Sequence, residues 1–396
     1  MISRKGALAL SFVIFVTIGY VGAVFGPAKD DLAAQVGTDL GAMGALFTAF
    51  FLGALVAQST VGTLVDRMGT RPVLLAGAAL MGVGLLGILL SQALWVLLAL
   101  AVLMGIGFGA LDTASNILVA HLSDNSVAVM NLLHMFFGVG SVIGPAVASA
   151  TLALADDARP AIWPGFVVML ALVPGILLLP KAAAAQNTQE TVSSGFSYRS
   201  LLLWTLAALM LIYVAAEAGL GAWINTYAER TTSVSKEIAA LTTSAFWFAL
   251  TAGRVVGAVW GSRFPANTVL GVSLGGSLAG GLLLVIGEGN VLLTIIAVLV
   301  IGLFFGPPYP TVMAMATAAF RSGPGKAASV VASMASLGGM AGPWVQGVLL
   351  ERVSPVSSAI FTVVLILAML ALFASVRRQT RASSLYRAAS AVSPGA

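Results

Sequence analysis

One acidic residue, Asp112, stands near the end of a long apolar run of the sequence. The run begins near Ala93, and Gly105, Gly107 and Gly109 precede the acid at alternate positions. A charged side chain within the hydrocarbon of a membrane costs at least ~2.5–3.5 kcal/mol, so an ionisable residue there is typical of a transport path. The glycines allow a neighbouring helix to approach closely, which predicts a helix packed inside a bundle with Asp112 at its centre. An acid in a buried hydrogen-bonded pair, with no part in transport, is the alternative.

Two further ionisable groups, Glu217 and His134, lie in apolar segments of comparable depth. Burial away from water favours the neutral form of a carboxyl group, and histidine titrates near neutral pH. We therefore predict that protons are the coupling ion and that Asp112 is the principal proton-coupling residue, with Glu217 and His134 as further candidates. A donor to the substrate and a histidine satisfied by a neighbouring helix are the alternatives for His134.

Amide and aromatic side chains supply the other chemistry at membrane depth. A sugar presents hydroxyl groups in a plane and an apolar ring face, so amides together with an aromatic platform suit it. Polar amides in apolar helices also need partners. The candidate substrate-binding residues are Asn116, Asn131, Tyr213, Trp223, Asn225, Trp247, Tyr309 and Gln346. For each ring, packing or a position at the lipid interface is the alternative.

Enzyme chemistry is not visible in the sequence. The chain has two histidines, no cysteine, no His-Glu-x-x-His pattern and no phosphate-binding loop, so we predict no catalytic residue, no metal, no cofactor and no ATP drive. The net charge of +5 is spread over loops and the C-terminal tail, which basic cytoplasmic loops explain better than nucleic-acid binding.

Composition indicates which elements must position these side chains. Of 396 residues, 59% are hydrophobic and 8% charged, which predicts a polytopic membrane protein. A membrane helix needs ~20 apolar residues, and the long apolar runs do not alternate as barrel strands do, so the prediction is all-α with twelve spans. The predicted helix windows are 6–28, 38–65, 71–91, 93–120, 126–154, 160–180, 199–227, 237–262, 266–287, 290–318, 325–350 and 354–376.

The longest internal polar stretch, residues 182–198, is rich in small polar side chains, as is typical of a linker. It predicts a six-helix half over 1–181, a second six-helix half over 199–378 and a tail over 379–396. Most of the 19 lysines and arginines fall on the side of the two termini. This excess favours cytoplasmic termini and a cytoplasmic linker in a protein of the inner, cytoplasmic membrane.

The two predicted halves also resemble each other. The stretch Gly302–Pro310 repeats the glycine rhythm of Gly105–Gly109, and the later pair Gly342-Pro343 repeats Gly144-Pro145 at nearly the same spacing. Parallel repeats in a two-half transporter place the substrate site at the repeat interface near mid-membrane.

A charged, glycine-containing loop lies between the second and third predicted spans. Gly69 permits a tight turn, and Asp66 can accept hydrogen bonds from neighbouring arginines or from a helix N-terminus, which would latch one conformation. The order of glycine, acid, base, glycine and base resembles the cytoplasmic signature of the major facilitator superfamily, which implies that superfamily's fold. The predicted gate and latch residues are Gly62, Asp66, Arg67, Gly69, Arg71 and, from the second half, Arg254. A pair with Glu217 or Asp112 is the alternative for Arg254.

A narrower resemblance rests on about three spans. Asp112-Thr-Ala-Ser-Asn116, the later pair Asn131 and His134, and the polar segment Tyr213–Tyr227 resemble the fucose permease branch of proton-coupled sugar symporters. His134 replaces a glutamine of that branch, and Ala23 stands where its first span carries an acid. The resemblance implies alternating-access symport of a sugar or sugar derivative with protons, by a monomer in the lipid bilayer. A drug-type proton antiporter or exporter of the same fold is the alternative function.

Overall fold

The computed structural model describes residues 2–122, 126–180, 197–261, 263–320 and 324–392, and the regular elements within these ranges are helices. They are α1 Arg4–Val36, α2 Leu40–Met68, α3 Thr70–Leu90, α4 Leu94–Leu122, α5 Ser126–Ala155, α6 Trp163–Leu177, α7 Leu201–Thr232, α8 Lys236–Gly261, α9 Ala266–Ile286, α10 Val291–Phe305, α11 Pro308–Ala319, α12 Pro324–Arg352 and α13 Pro355–Val392, with a short 3-10 helix at Arg159–Ile162 before α6.

Within the described residues, 11 helical segments are long and apolar enough to cross a membrane, and one of them joins α10 and α11 into a single span. Helix α12 is not among the 11 because alanine, glycine and serine make up much of its sequence. It nevertheless lies inside the bundle, packed against α7 and α2. Together these elements make the twelve spans of the predicted all-α fold, and the chain is a multi-pass membrane protein.

The helices pack as two repeats of one pattern. In the first half α1 packs on α5, α2 and α3 on α4, and α3 on α6; in the second half α7 packs on α12, α8 and α9 on α10, and α9 on α13. Helices α2 and α5 of the first half contact α12 and α8 of the second, and α1 contacts α7. The repeat seen in the sequence is therefore a repeat of packing. The exact boundaries of the halves remain predictions, and linker residues 182–196 lie outside the described residues.

Glycines set the distance between helices at equivalent places in the two halves. A Cβ atom added at Gly105 of α4 would collide with the carbonyl oxygen of Phe50 in α2. A Cβ added at Gly302 of α10 would lie 2.6 Å from the carbonyl oxygen of Phe246 in α8. Each half is thus held by backbone-to-backbone contact at this crossing, as the spacing of glycines in α4 predicts.

Three helix bounds differ from the prediction. Helix α1 passes through Pro27 and ends at Val36, beyond the predicted end at residue 28, so Lys29 lies inside it. The tenth span is broken at Gly306 into α10 and α11, because the two prolines that follow lack the N–H groups that would continue the ladder. Helix α13 extends to Val392, through most of the predicted tail.

Hydrogen bonds between the halves lie at the middle of the helices or toward one end. Thr48 of α2 donates to the carbonyl oxygen of Met340 in α12 at 2.7 Å, and Ser244 of α8 donates to the carbonyl oxygen of Val142 in α5 at 2.9 Å. We call the end where α1 and α7 terminate the Lys29 end, and the opposite end, where α2 terminates, the Asp66 end. Of the side-chain bonds between halves in the described chain, the one farthest toward the Lys29 end joins Lys29 to α7.

Candidate functional site

Asp112 lies in α4, half-buried and one helical turn before Asn116. The side-chain nitrogen of Asn116 donates to the Asp112 carbonyl oxygen at 2.9 Å and to its carboxyl oxygen Oδ1 at 3.2 Å. No lysine or arginine of the described chain forms an ion pair with Asp112. The carboxyl group is therefore held by an amide and keeps the freedom to gain and lose a proton without breaking an ion pair.

Glu217, the acid of the second half, has a basic partner. Its Oε1 lies 3.2 Å from Nη2 of Arg254, an ion pair that joins α7 to α8. The Glu217 side chain is 10% exposed and the Arg254 side chain 24% exposed, so the pair is largely shielded from water. A shielded pair that loses one partner leaves the other charge uncompensated, which is costly. The ion pair therefore offsets part of the cost of burying these two side chains.

Two tyrosine side chains, Tyr213 and Tyr309, lie near these two acids. Tyr213, fully buried in α7 one turn before Glu217, donates its hydroxyl to the carbonyl oxygen of Phe305 at 2.5 Å, next to the break between α10 and α11. Its ring centroid lies 6.4 Å from that of Tyr309, which follows the break. Tyr309 is close enough to Asp112 of the first half to feel its charge, together with those of Glu217 and Arg254.

His134 lies on α5 with an exposed side chain, and its ring meets the edge of Phe15 of α1 at a centroid distance of 5.4 Å. The charge of Arg254, across the boundary between the halves, acts on it. Asp112, His134, Glu217, Arg254 and Tyr309 form what we call the central cluster. It contains one acid from the first half, which has no basic partner in the described chain, and one acid from the second half, which is paired with Arg254.

Two buried polar atoms of predicted substrate-binding residues lack a partner among the described residues: Oδ1 of Asn116 and Nε1 of Trp247. Asn116 belongs to α4 of the first half, and Trp247 to α8 of the second, where its ring packs against the backbone of Gly221. Buried polar atoms are normally hydrogen-bonded, so an acceptor and a donor left open are suited to a ligand. Asn131 lies in α5, but its side chain is outside the described part of the chain.

Three other predicted substrate-binding residues are engaged elsewhere. Trp223 is buried and donates from Nε1 to the carbonyl oxygen of Pro343 at 2.7 Å. Gln346 is buried and donates to the hydroxyl of Thr362 at 2.8 Å. Asn225 accepts from Lys29 at the Lys29 end. The structure does not bring these three side chains into the central cluster.

Lys29 is a polar residue that the sequence analysis did not single out. It follows Pro27 and precedes two aspartates, a pattern that predicts a loop, whereas its side chain is fully buried between α1 and α7. The apolar residues that continue after the aspartates, up to Val36, are the signal that indicates a longer helix.

The predicted latch residues lie at the Asp66 end. Gly69 adopts a φ of 83° and makes the tight turn between α2 and α3, as predicted. Asp66 and Arg67 are exposed and form no ion pair within the described residues, and a Cβ at Gly62 would meet open space. Arg254 lies with Glu217, in the central cluster. The role of these residues as a latch stays a prediction.

No group of three histidine, cysteine, aspartate or glutamate side chains that could hold a metal ion occurs among the described residues. The arrangement has the parts of a binding and proton-exchange site: one acid held by an amide, one ion pair, two tyrosines, and an open donor and acceptor.

The sequence matches the family model of the Major Facilitator Superfamily over residues 10–233 and 206–392. It is 25% identical over 385 residues to the human sodium-dependent glucose transporter 1, covering 88% of this chain and 74% of that protein. It is 26% identical over 271 residues to a putative glucose/galactose transporter of Helicobacter pylori, covering 64% of this chain and 65% of the relative.

Among solved structures, the crystal structure of the nucleoside transporter NupG superposes with a TM-score of 0.77, over 94% of this chain and 99% of that one, at 16% sequence identity. At this identity the likeness establishes a shared fold.

Proposed function

Because the chain belongs to the major facilitator superfamily, and is therefore a transporter and not an enzyme, we propose that it moves a sugar or sugar derivative by proton-coupled alternating access. Its relatives support the solute class, since one is a sodium-dependent glucose transporter and another a putative glucose/galactose transporter. In this proposal the two halves rock about the central cluster, exposing it first to one side of the membrane and then to the other.

The observation that carries proton coupling is the difference between the two acids of the central cluster. Arg254 compensates the charge of Glu217, whereas Asp112 has an amide partner and no basic one in the described chain. A neutral, protonated Asp112 is easier to move through an apolar passage than a charged one. Asp112 therefore carries the proton, and the Glu217–Arg254 pair stays charged and shapes the site.

Solute recognition uses both halves. Asn116 offers an acceptor and Trp247 offers a donor, each without a partner in the described chain, and the ring of Tyr309 lies within 6.4 Å of the Tyr213 ring, centroid to centroid. A solute with several hydroxyl groups can fill both positions at once, and an apolar ring face can lie on an aromatic side chain. A solute that contacts both halves favours their approach, as alternating access requires.

The membrane orientation completes the proposal. With both termini in the cytoplasm of a protein of the inner membrane, the Lys29 end faces outward and the Asp66 end inward. Hydrogen bonds between the halves then lie near the middle and toward the outside, which supports an inward-facing state, and in this proposal the protein works as a monomer.

The test of the proposal is Asp112→Asn in proteoliposomes. The variant keeps size and hydrogen bonding but cannot titrate, so we expect it to lose accumulation of labelled sugar under an imposed pH gradient by about tenfold or more. Counterflow without a gradient should persist, because exchange needs no net proton movement. Asp156→Asn is the matched control, since Asp156 is an exposed acid at the end of α5 with a φ of 49° that asparagine tolerates.

Gradient-driven accumulation by Asp112→Asn at the level of the control would show that Asp112 is structural and would direct attention to Glu217 with His134. Loss of counterflow as well would make Asp112 a ligand of the solute or a folding residue.

Counterflow with a panel of labelled sugars, nucleosides and hydrophobic cations tests the solute class, and export of the cations alone would replace the sugar proposal with the antiporter alternative.

A further inference from the structure

Lys29 is a fully buried cation at the boundary between the two halves. It lies in α1 of the first half, and its Nζ donates to Oδ1 of Asn225 in α7 of the second half at 2.9 Å. It also donates to the carbonyl oxygen of Gly26, one turn earlier in its own helix, at 2.8 Å. One ammonium group thus ties a helix of each half to the same point.

The face of an aromatic ring completes the surroundings of this ammonium. Nζ lies 4.7 Å from the centroid of the Trp223 ring, within the range of a cation–π interaction. Trp223 is itself fixed, because its Nε1 donates to the carbonyl oxygen of Pro343 in α12. Three helices, α1, α7 and α12, therefore meet through one charged group.

The nearest carboxylate is too far away to make this a close ion pair. Oδ1 of Asp30 lies 3.7 Å from Nζ, and its side chain is 26% exposed. Buried charges are normally held by a close carboxylate with full hydrogen bonding. Lys29 is held mainly by neutral groups instead, and such an arrangement is separated at lower cost than a buried ion pair would be.

Acidic residues near the Lys29 end are placed to receive the ammonium when it leaves this position. A small pocket beside it is lined by three acids, Asp30, Asp31 and Glu229, and one cation, Lys236, together with Asn225, so the acids outnumber the cation. The charges of Asp30 and Glu229 already act on Lys29 across this distance. The buried position and an alternative position among carboxylates thus lie side by side.

From this geometry we infer that Lys29 is a releasable clamp: its ammonium holds the two halves together at the Lys29 end, and its departure from Asn225 and Trp223 is the step that opens that end. The purpose of the clamp rests on the proposed alternating access. The test of the clamp needs neither solute nor proton gradient. The clamp can therefore be contradicted while the transport proposal stands, and the transport proposal can be contradicted while the clamp stands.

The measurement is a disulfide across the Lys29 end in this cysteine-free chain. A Cβ added at Gly41 of α2 lies 3.7 Å from Cβ of Glu351 in α12, within the range of a disulfide. The pair Gly41→Cys and Glu351→Cys should therefore cross-link while the end is closed. The rate of cross-linking under mild oxidation reports how much of the population is closed.

Adding Lys29→Met, which keeps length and apolar volume, should slow cross-linking by about tenfold, since a hydrogen bond to a charged group is lost. Asn225→Leu should have the same effect, and the two changes together should add little to either alone. Asn225→Asp, which offers the ammonium a carboxylate, should speed cross-linking or hold it at its maximum. Lys236→Met is the matched control, because Lys236 lines the same pocket without bonding across the halves.

Cross-linking of Lys29→Met at the control rate would overturn the clamp, and so would equal slowing by Lys236→Met, which would indicate a general effect of charge. If Lys29→Met does not fold, as judged by size-exclusion chromatography in detergent, Asn225→Leu and Asn225→Asp decide instead. Opposite shifts by these two variants support the clamp, and shifts in the same direction contradict it.

Discussion

At the residue scale, the site depends on which acid has a basic partner. The sequence identifies Asp112 and Glu217 as acids in apolar helices and leaves Arg254 open to either of them or to the gate. Which acid Arg254 meets depends on how α4, α7 and α8 are rotated about their axes. Helices that are apolar on every face carry no amphipathic pattern from which that rotation can be predicted. Only the packed bundle shows Arg254 within 3.2 Å of Glu217.

Aromatic residues illustrate the same limit. Trp223 and Trp247 are equivalent by sequence, since both lie in apolar segments at membrane depth. In the fold, the indole nitrogen of Trp223 bonds to the carbonyl oxygen of Pro343, whereas that of Trp247 has no partner among the described residues. Small differences in helix position therefore separate a packing residue from a candidate ligand.

This contrast gives a paired prediction. Trp247→Phe keeps a ring but removes the open N–H donor, so the half-saturating concentration of solute in counterflow should rise by about three- to tenfold, the value of one hydrogen bond. The melting temperature should hold or increase, because no bond within the protein is lost. Trp223→Phe should do the opposite, with lower thermal stability and unchanged half-saturation. If the half-saturating concentration of solute instead rose for Trp223→Phe and not for Trp247→Phe, Trp223 would be the candidate ligand and Trp247 the packing residue.

At the element scale, the sequence predicts the number, order and type of helices well, because long apolar runs and their polar breaks determine these features. It predicts poorly where α1 ends, and it misses the break inside the tenth span, although the ends of that span are predicted within one residue. Charged residues after Pro27 resemble a helix end, yet α1 continues because Lys29 donates to Asn225 and Asp31 accepts from the N–H of Ala158. The pair Pro307-Pro308 lies in a continuous apolar run, and only the loss of backbone donors breaks the span there.

A prediction at this scale concerns the turn between α2 and α3. In the structure Asp66 is exposed and without an ion pair in the described chain, as expected if its partners engage only when the Asp66 end closes. Asp66→Asn should then weaken that closure and favour the state seen here. The Gly41→Cys and Glu351→Cys pair should cross-link faster in Asp66→Asn, solute binding should be retained, and turnover should fall by about two- to tenfold.

Asp156→Asn again serves as the control for Asp66→Asn. Loss of solute binding without any change in cross-linking would contradict the latch, since a latch acts on the balance of states and leaves the pocket intact.

At the scale of the whole molecule, two similar halves carry different chemistry. The packing of α1 on α5 recurs as α7 on α12, yet the acid of the first half lacks a basic partner in the described chain and the acid of the second half has one. The repeat was visible in the sequence because close helix crossings demand glycine at fixed intervals. The difference in charge pairing was not, because no local pattern requires it.

Topology gives the last prediction. Single cysteines at Ser193 and Ser233 should differ in labelling by an impermeant thiol reagent added to sealed cells. We expect Ser233→Cys to react, because Ser233 is exposed just after α7 at the Lys29 end, and Ser193→Cys, in the predicted cytoplasmic linker, to be protected. Permeabilised cells, in which both should react, control for reactivity. Labelling of Ser193→Cys alone in sealed cells would invert the orientation.

The glycine crossings have a mechanical consequence. A Cβ at Gly105 would collide with the backbone of α2, and a Cβ at Gly302 would meet the backbone of α8. The pairs α2–α4 and α8–α10 are therefore packed too closely for one helix to shift without moving the other. Densely packed elements transmit small displacements as rotations of larger units and do not bend locally. In the proposed alternating access each half would therefore move as a rigid unit, so that a displacement of α4 by a bound solute turns its neighbours with it and moves the far ends of the bundle.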